Sequence, residues 1–207
     1  MEIPALDITF DQRELAEFER ALREYPGVFR QAILAATEKT RVVLRRGIPK
    51  KLRETSTILP SVIGKAIRSK KAVLTGGGAQ AEITTASRLS PLIRYQVRPD
   101  SPAAQRGVPV SERPSISYLL RRGGTQYGDQ PHNDSGNLSS MFVQRMKKSG
   151  HIGVFSRIKG THDIEQQFGP SVQWHLFADG VIDELTDKGR EYFLNALRRE
   201  VAAHGIR

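Results

Sequence analysis

Cysteine is absent from the 207 residues, which excludes a disulfide framework and any thiolate metal site. Long apolar runs are absent as well. Nothing approaches the roughly 18 consecutive apolar residues that a membrane-spanning helix needs, so no membrane partner is expected. The opening Met1-Glu2-Ile3-Pro4 has neither a basic lead nor an apolar core, and it does not read as a secretory signal. The chain is expected to be made and used in a cytoplasm, or built into a particle assembled there. Signatures of nucleotide and acyl chemistry are also lacking. Gly76-Gly77-Gly78 runs into Ala79 and Gln80 with no Lys-Ser/Thr, so it is no phosphate loop. Gly169-Pro170-Ser171-Val172 lacks the second glycine of a nucleophile elbow and reads as a turn.

What is present is unevenly distributed charge. The formal net charge is +10, with 32 Lys and Arg against 22 Asp and Glu. The stretch from Lys39 to Lys71 holds eleven basic residues, among them Arg41, Arg45, Arg46, Lys50, Lys51, Arg53, Lys70 and Lys71, and one acid, Glu54. That stretch alone therefore carries +10, while residues 1–38 sum to −4 and residues 72–207 to +4. A basic band beside an acidic end can attract a nucleic-acid backbone. It can equally dock on the acidic face of a neighbouring subunit, including an identical one. Few aromatics accompany the band, which argues against base stacking on single strands.

Periodicity places the elements. Asp11 and Glu14 stand at capping-box spacing, and Leu15, Phe18, Leu22 and Tyr25 recur as a helical stripe. A second helix is expected from Pro26, burying Phe29, Ala32, Ile33, Ala36, Val43 and Leu44 and ending at Gly47 and Pro49. Arg41 and Arg45 lie one turn apart, off that stripe, and are expected on a solvent or partner face. The polar stretch after residue 50 reads as a turn before a short helical stripe at Leu59, Val62, Ile63, Ala66 and Ile67. Strands follow at Ala72–Leu74, Ala81–Ala86, Ile93–Val97, Ile116–Leu120, Met141–Met146 and His151–Phe155. Arg121–Asn137 has four glycines and no apolar stripe, and it reads as a long loop. A last helix is expected from about Asp183 to His204, with Leu185, Phe193, Leu197 and Val201 inward.

Helices first, strands in the middle and a helix last make the expected class α+β. The predicted architecture is a set of N-terminal helices, a central, mostly antiparallel sheet with a long loop, and a C-terminal helix. It is expected as one domain over 1–207, with a mainly helical basic part at 1–69 and a sheet core with the closing helix at 70–207.

Metal and nuclease chemistry find little support. His151, His162 and Asp163 match no recurrent ligand spacing. His132-Asn133-Asp134 superficially resembles one class of nuclease, but the tripeptide sits in a glycine-rich loop without the strand-strand-helix frame that chemistry needs. Asp179, Asp183, Glu184 and Asp187 are accounted for as acids at a helix start. Trp174, the one tryptophan, is expected to pack, with an interface anchor as the competing role. No cofactor, metal or catalytic residue is expected.

The most specific stretch runs from Phe142 to Val172. Gly150 and Gly153 bracket the short apolar strand Ser149-Gly150-His151-Ile152-Gly153-Val154-Phe155-Ser156-Arg157, where the backbone must bend or come close to something. Ile164, Phe168 and Gly169-Pro170-Ser171-Val172 follow, with Arg88-Leu89-Ser90-Pro91-Leu92-Ile93 upstream. In this order the segments resemble the phage minor tail protein Z family. The likeness is close from Phe142 to Val172 and loose before Arg88. It implies a virion protein that completes the tail or joins it to the filled head, acting as a homo-oligomeric ring, a hexamer, at the neck. It implies other neck and tail proteins as partners, and Gly150, His151, Gly153, Phe155, Arg157, Gly169 and Pro170 as the structural residues of the motif. A tail-terminator ring and a non-specific DNA-binding module, with genomic DNA in the channel as ligand, are the competing expectations.

Overall fold

The computed structural model describes residue 18 and residues 23–75, 78–105, 108, 114–128, 141–158, 163–178 and 180–204. The helix expected from Asp11, the His132-Asn133-Asp134 tripeptide, His162, Asp179 and the 129–137 part of the long loop lie outside the described residues.

The fold is α+β, with helices at both ends of the described chain and antiparallel strand pairs between them. Contacts divide the chain into two compact units that interleave along it. The first comprises Met1–Leu52, Gly64–Ser87 and Gln173–Arg207; the second comprises Arg53–Ile63 and Arg88–Val172. A boundary drawn between residues 69 and 70 therefore does not follow the contacts.

The first unit is organised by helix α1, Pro26–Thr55. Its buried side chains, Phe29, Ala32, Ala36, Thr40, Leu44, Ile48 and Leu52, recur every three or four residues and make one continuous stripe. The helix does not stop at Gly47 and Pro49 as those residues suggest. An interior proline costs about 3 kcal/mol. Leu52, fully buried beyond it, contributes about 1.5–3 kcal/mol, an amount of the same size, and continues the stripe through Ile48 past the proline. Helix α4, Val181–Ala203, runs antiparallel to α1. Phe193, Ala196, Leu197 and Val201 form a core with Phe18, Phe29, Ala32 and Ala36, the alanines keeping the contact thin. At the other end Gly47 faces Leu185: a Cβ there would stand 3.6 Å from Leu185 Cδ2. Lys39 pairs with Glu200, and Lys51 with Glu184 at 2.5 Å.

The helix α2, Pro60–Ala66, leads into strand β1, Ile67–Thr75, which pairs with β2, Gly78–Thr85, in an antiparallel hairpin. Ile67, Ile83 and Thr85 are buried at its base, in keeping with the inward Ile83 expected from sequence. Helix α3, Val172–Ala178, was not legible as a helix, although Ser171 immediately before it is a residue type favoured at helix starts.

In the second unit, β4 (Gln96–Arg98), β5 (Ser117–Leu119) and β6 (Gln126–Gly128) form one antiparallel sheet, so the segment read as a loop from Arg121 contains a strand. Tyr118 and Tyr127 sit directly opposite each other and stack, centroids 5.4 Å apart, which accounts for the pairing where no apolar stripe announced it. The polar stretch after α1 is no exposed turn. Ser56 bridges Arg121, Thr57 N–H donates to Leu120 O at 3.2 Å, and Arg122 N–H donates to Thr55 O at 2.9 Å. A second sheet orders β7 (Met141–Arg145), β8 (Ile152–Arg157) and β9 (Ile164–Gln166). The short β3 (Ser90–Pro91) pairs with β10 (Phe168–Gly169). Leu92, Tyr95, Val97, Ile116, Val143, Val154 and Phe155 are among the buried side chains of this unit, with Ile58, Ile63 and Val172. No described helix is long and apolar enough to cross a membrane.

Candidate functional site

Two sets of residues stood out in the sequence, the basic band and the Phe142–Val172 motif. The structure uses them differently.

The motif residues are spent on turns and close contacts within the second unit. Gly150 has φ of 66°, the left-handed region open to glycine, and closes the β7–β8 hairpin. Its N–H donates to Met146 O at 2.9 Å, and Met146 N–H donates to His151 O at 2.8 Å. Gly153 is a close-approach glycine. A Cβ there would stand 3.0 Å from the Phe155 ring and 3.3 Å from His151 Nε2, its two neighbours along the same face of β8. His151 Nε2 in turn lies 2.9 Å from Gln166 Nε2, tying the start of β8 to β9. Phe155 sits opposite Phe142 across β7 and β8, and the Arg157 guanidinium lies over the Phe142 ring at 5.5 Å. Gly169 is the tightest point: a Cβ there would come within 2.7 Å of Tyr95 Cε2. Tyr95 O–H donates to Pro170 O at 2.5 Å, so Gly169 and Pro170 together seat one buried tyrosine. Burial pushes the Tyr95 phenol well above its usual pKa, against a hydrogen bond with Ser90 that pulls it down, and this keeps the hydroxyl protonated as a donor. Tyr95 appeared in the sequence only as one residue of an alternating strand; its anchoring role depends on a contact 75 residues away.

The basic band is partly an internal ion-pair system. Arg41 does not share an open face with Arg45. Its side chain is only 13% exposed, paired with Glu38 at 2.5 Å, and its Nη1 donates to Ser69 Oγ at 2.8 Å. Lys51 is paired with Glu184, which also accepts from Lys188, and Lys70 is paired with Glu82 at 2.8 Å. Arg45 is half-buried, while Arg46, Lys50, Arg53 and Lys71 are exposed. Arg46 and Lys50 stand one turn apart on α1 and Lys71 stands on β1, so part of the band does present cations to solvent.

Glu38 was not singled out in the sequence, and it organises the junction between α1 and the β1–β2 hairpin. The ladder slips between Lys70 and Val73, a bulge that withdraws backbone from strand pairing. Ala72 N–H, at that bulge, donates to Glu38 Oε2 at 3.0 Å. The hydrogen bonds from Arg41 and from the Ala72 amide hold the Glu38 carboxyl at about 2, below the ordinary carboxylate value of 4.5. The sign follows. A carboxyl depressed on folding contributes stability that is complete above the unfolded value and is lost as pH falls toward the folded one. Glu38→Gln is therefore expected to be less stable than the parent near neutrality. The gap in melting temperature should narrow progressively between about pH 4.5 and pH 2. Parallel thermal melts across that range test it, and a gap independent of pH would remove the carboxylate from this role.

Among the described residues no group of three His, Asp or Glu side chains could hold a metal ion. His151 is instead bonded to Gln166. Trp174 is not packed away as expected but 42% exposed, three residues before exposed Phe177 and so on the same face of α3. Comparison with protein-family models, with curated proteins and with solved structures finds no match to this chain.

Proposed function

We propose that the protein is a non-enzymatic structural subunit of a tailed phage particle, a tail-completion or head–tail joining component that forms a ring of identical copies at the neck. The observation that carries this reading is the Phe142–Val172 segment, whose order resembles the minor tail protein Z family. Gly150, Gly153, Phe155, Arg157, Gly169 and Pro170 all serve turns, close packing or ring contacts, as residues that define a fold would. A ring of one chain needs head-to-tail contacts between two different patches of the same surface. The split between an acidic start, net −4 over residues 1–38, and a basic band of +10 over 39–71 supplies two complementary patches.

Because Arg41 is held inside the first unit, the residues suited to such contacts are the exposed Arg46, Lys50 and Lys71. Sedimentation of the purified protein is expected to show oligomers that loosen as salt rises, since exposed charges farther apart than about 8 Å at physiological ionic strength are screened. Arg46→Glu with Lys50→Glu should loosen them further at low salt; oligomers indifferent to both changes would reject the charge mechanism. Particles assembled without the protein and viewed by electron microscopy separate the roles. Full heads beside free tails of normal length support joining, whereas overlong tails support a terminator ring. The same exposed cations favour a second reading, non-specific contact with duplex DNA passing the ring. A duplex titration at low salt that yields no binding removes it.

A further inference from the structure

We infer that the outward face of helix α1 is a phosphate track, which lies against the backbone of double-stranded DNA without reading its sequence. The inference rests on the second reading above, contact with duplex, and names the surface that makes it; it does not depend on a ring. Between Lys39 and Arg53 the buried residues of α1 are Thr40, Leu44, Ile48 and Leu52, and the exposed ones are Lys39, Val43, Arg46, Lys50 and Arg53. The exposed residues recur at spacings of four and three, so they form a single line along the helix, opposite the buried stripe. All but Val43 are cations; Glu54, the one exposed acid of the helix, follows the line. At about 1.5 Å per residue the line is about 21 Å long, the length of about six base pairs. A further cation joins it at the helix C-terminus: Arg122 is exposed, and its Nε donates to Arg53 O at 2.7 Å.

Folding accounts for only part of this line. Lys39 is paired with Glu200, and Arg53 and Arg122 lie where the negative end of the helix dipole favours cations. Arg46 and Lys50 have neither account. They stand more than a turn before the helix end, and among the described residues neither takes part in an ion pair. The residue types around them choose the partner. The core of a protein–protein contact is depleted in charge and anchored by aromatic or large apolar side chains, and this face offers Val43 alone. A membrane surface needs an apolar face beside the cations, which is missing for the same reason. Single strands bind by stacking on aromatic rings, and Phe29 is the one aromatic on α1, buried and far from the line. A row of exposed cations without an anchor suits a phosphate backbone, whose contacts hold position and carry no sequence information.

Titration of the full-length protein with a short DNA duplex across a range of salt tests this. Log affinity should fall against log salt with a slope of about −3, as for three to four neutralised phosphates. Arg46→Gln with Lys50→Gln should weaken binding about tenfold or more at low salt and bring the slope about 2 nearer zero. Its thermal melt should stay that of the parent, because both side chains are exposed. Lys65→Gln with Lys71→Gln removes the same charge from exposed sites off α1 and should leave the slope as it is. Val43→Lys fills the neutral gap in the line and should steepen the slope by about 1, a gain that misfolding does not mimic. A parent that fails to bind duplex at low salt overturns the second reading and this inference together. A parent whose binding is unchanged by Arg46→Gln with Lys50→Gln, or is weakened equally by both pairs of substitutions, leaves that reading standing and overturns the track. Poly-glutamate bound as tightly as duplex, or duplex affinity that falls as the protein self-associates, assigns the face to an acidic protein surface and overturns the inference. Duplexes of unrelated sequence that differ by about tenfold or more in affinity reveal base readout and overturn it as well.

Discussion

Replacing Gly169 by alanine should destabilise the second unit by about 2–4 kcal/mol, combining the cost of overpacking with the loss of a buried hydrogen bond. The added methyl would stand 2.7 Å from Tyr95 Cε2, a separation that packed carbon atoms do not sustain, so either the ring or the β10 backbone must move. The ring has little freedom. It is buried, and its hydroxyl is tied to Pro170 O, one residue from the substitution. Whichever moves, that bond is strained or broken and a buried hydroxyl loses its acceptor. Denaturant unfolding of the variant reads the effect as a drop in midpoint at unchanged slope. A double-mutant cycle identifies its source: with Tyr95→Leu in the background, Gly169→Ala should cost much less, because the ring it collides with is gone. Equal costs in both backgrounds would show that the glycine is needed for some reason other than Tyr95.

Leu52→Ala should lower stability by about 2–5 kcal/mol, the range for truncating a fully buried leucine, and Pro49→Ala should raise it. The two substitutions lie three residues apart on one helix and act with opposite sign, which makes them a test of why α1 continues to Thr55. Proline at this position withholds one amide from the helix ladder and crowds the preceding turn. Alanine restores the amide and has the better propensity, so a gain of about 1–3 kcal/mol is expected. Thermal melts of both variants decide it. A neutral Leu52→Ala would mean that the stripe beyond the proline does not hold the helix, and a destabilising Pro49→Ala would mean that the packed structure depends on the proline.

These cases show where sequence is informative. The apolar spacings that mark α4 and the first half of α1 are local, and Leu185, Phe193, Leu197 and Val201 are all buried as their spacing indicates. Of the strand expected at Ile93–Val97, Tyr95 and Val97 are inward as the alternation indicates, while Ile93 lies in a 3-10 turn over Leu92–Arg94 and the strand itself is Gln96–Arg98. Local signals fail where a distant contact outweighs a local preference. Gly47 and Pro49 argue for a helix end, yet Ile48 and Leu52 are carried on into a core that only the folded chain assembles. The Gln126–Gly128 strand has no period of its own and exists through the Tyr118–Tyr127 pair. Arg41 looked identical to Arg45 by spacing; Glu38, Ser69 and the bulge at Ala72 separate them.

For the Phe142–Val172 segment, sequence alone established that glycines stand where the backbone must bend or be approached, because no other residue type suits a left-handed turn or a zero-volume contact. It could not say which glycine does which. Gly150 bends at φ of 66°, whereas Gly153 and Gly169 make room, one for Phe155 and His151 and the other for Tyr95. The net charge and its band were likewise readable from composition. Their meaning was decided by the tertiary structure: Glu38, Glu82, Glu184 and Glu200 reach the band from sites up to 161 residues away and pair with Arg41, Lys70, Lys51 and Lys39, while Arg46, Lys50 and Lys71 are among the cations exposed on the surface. Bending and crowding are properties of a few adjacent atoms, and a sequence records them. Neutralisation of charge depends on distances between elements, and those exist only once the chain has folded.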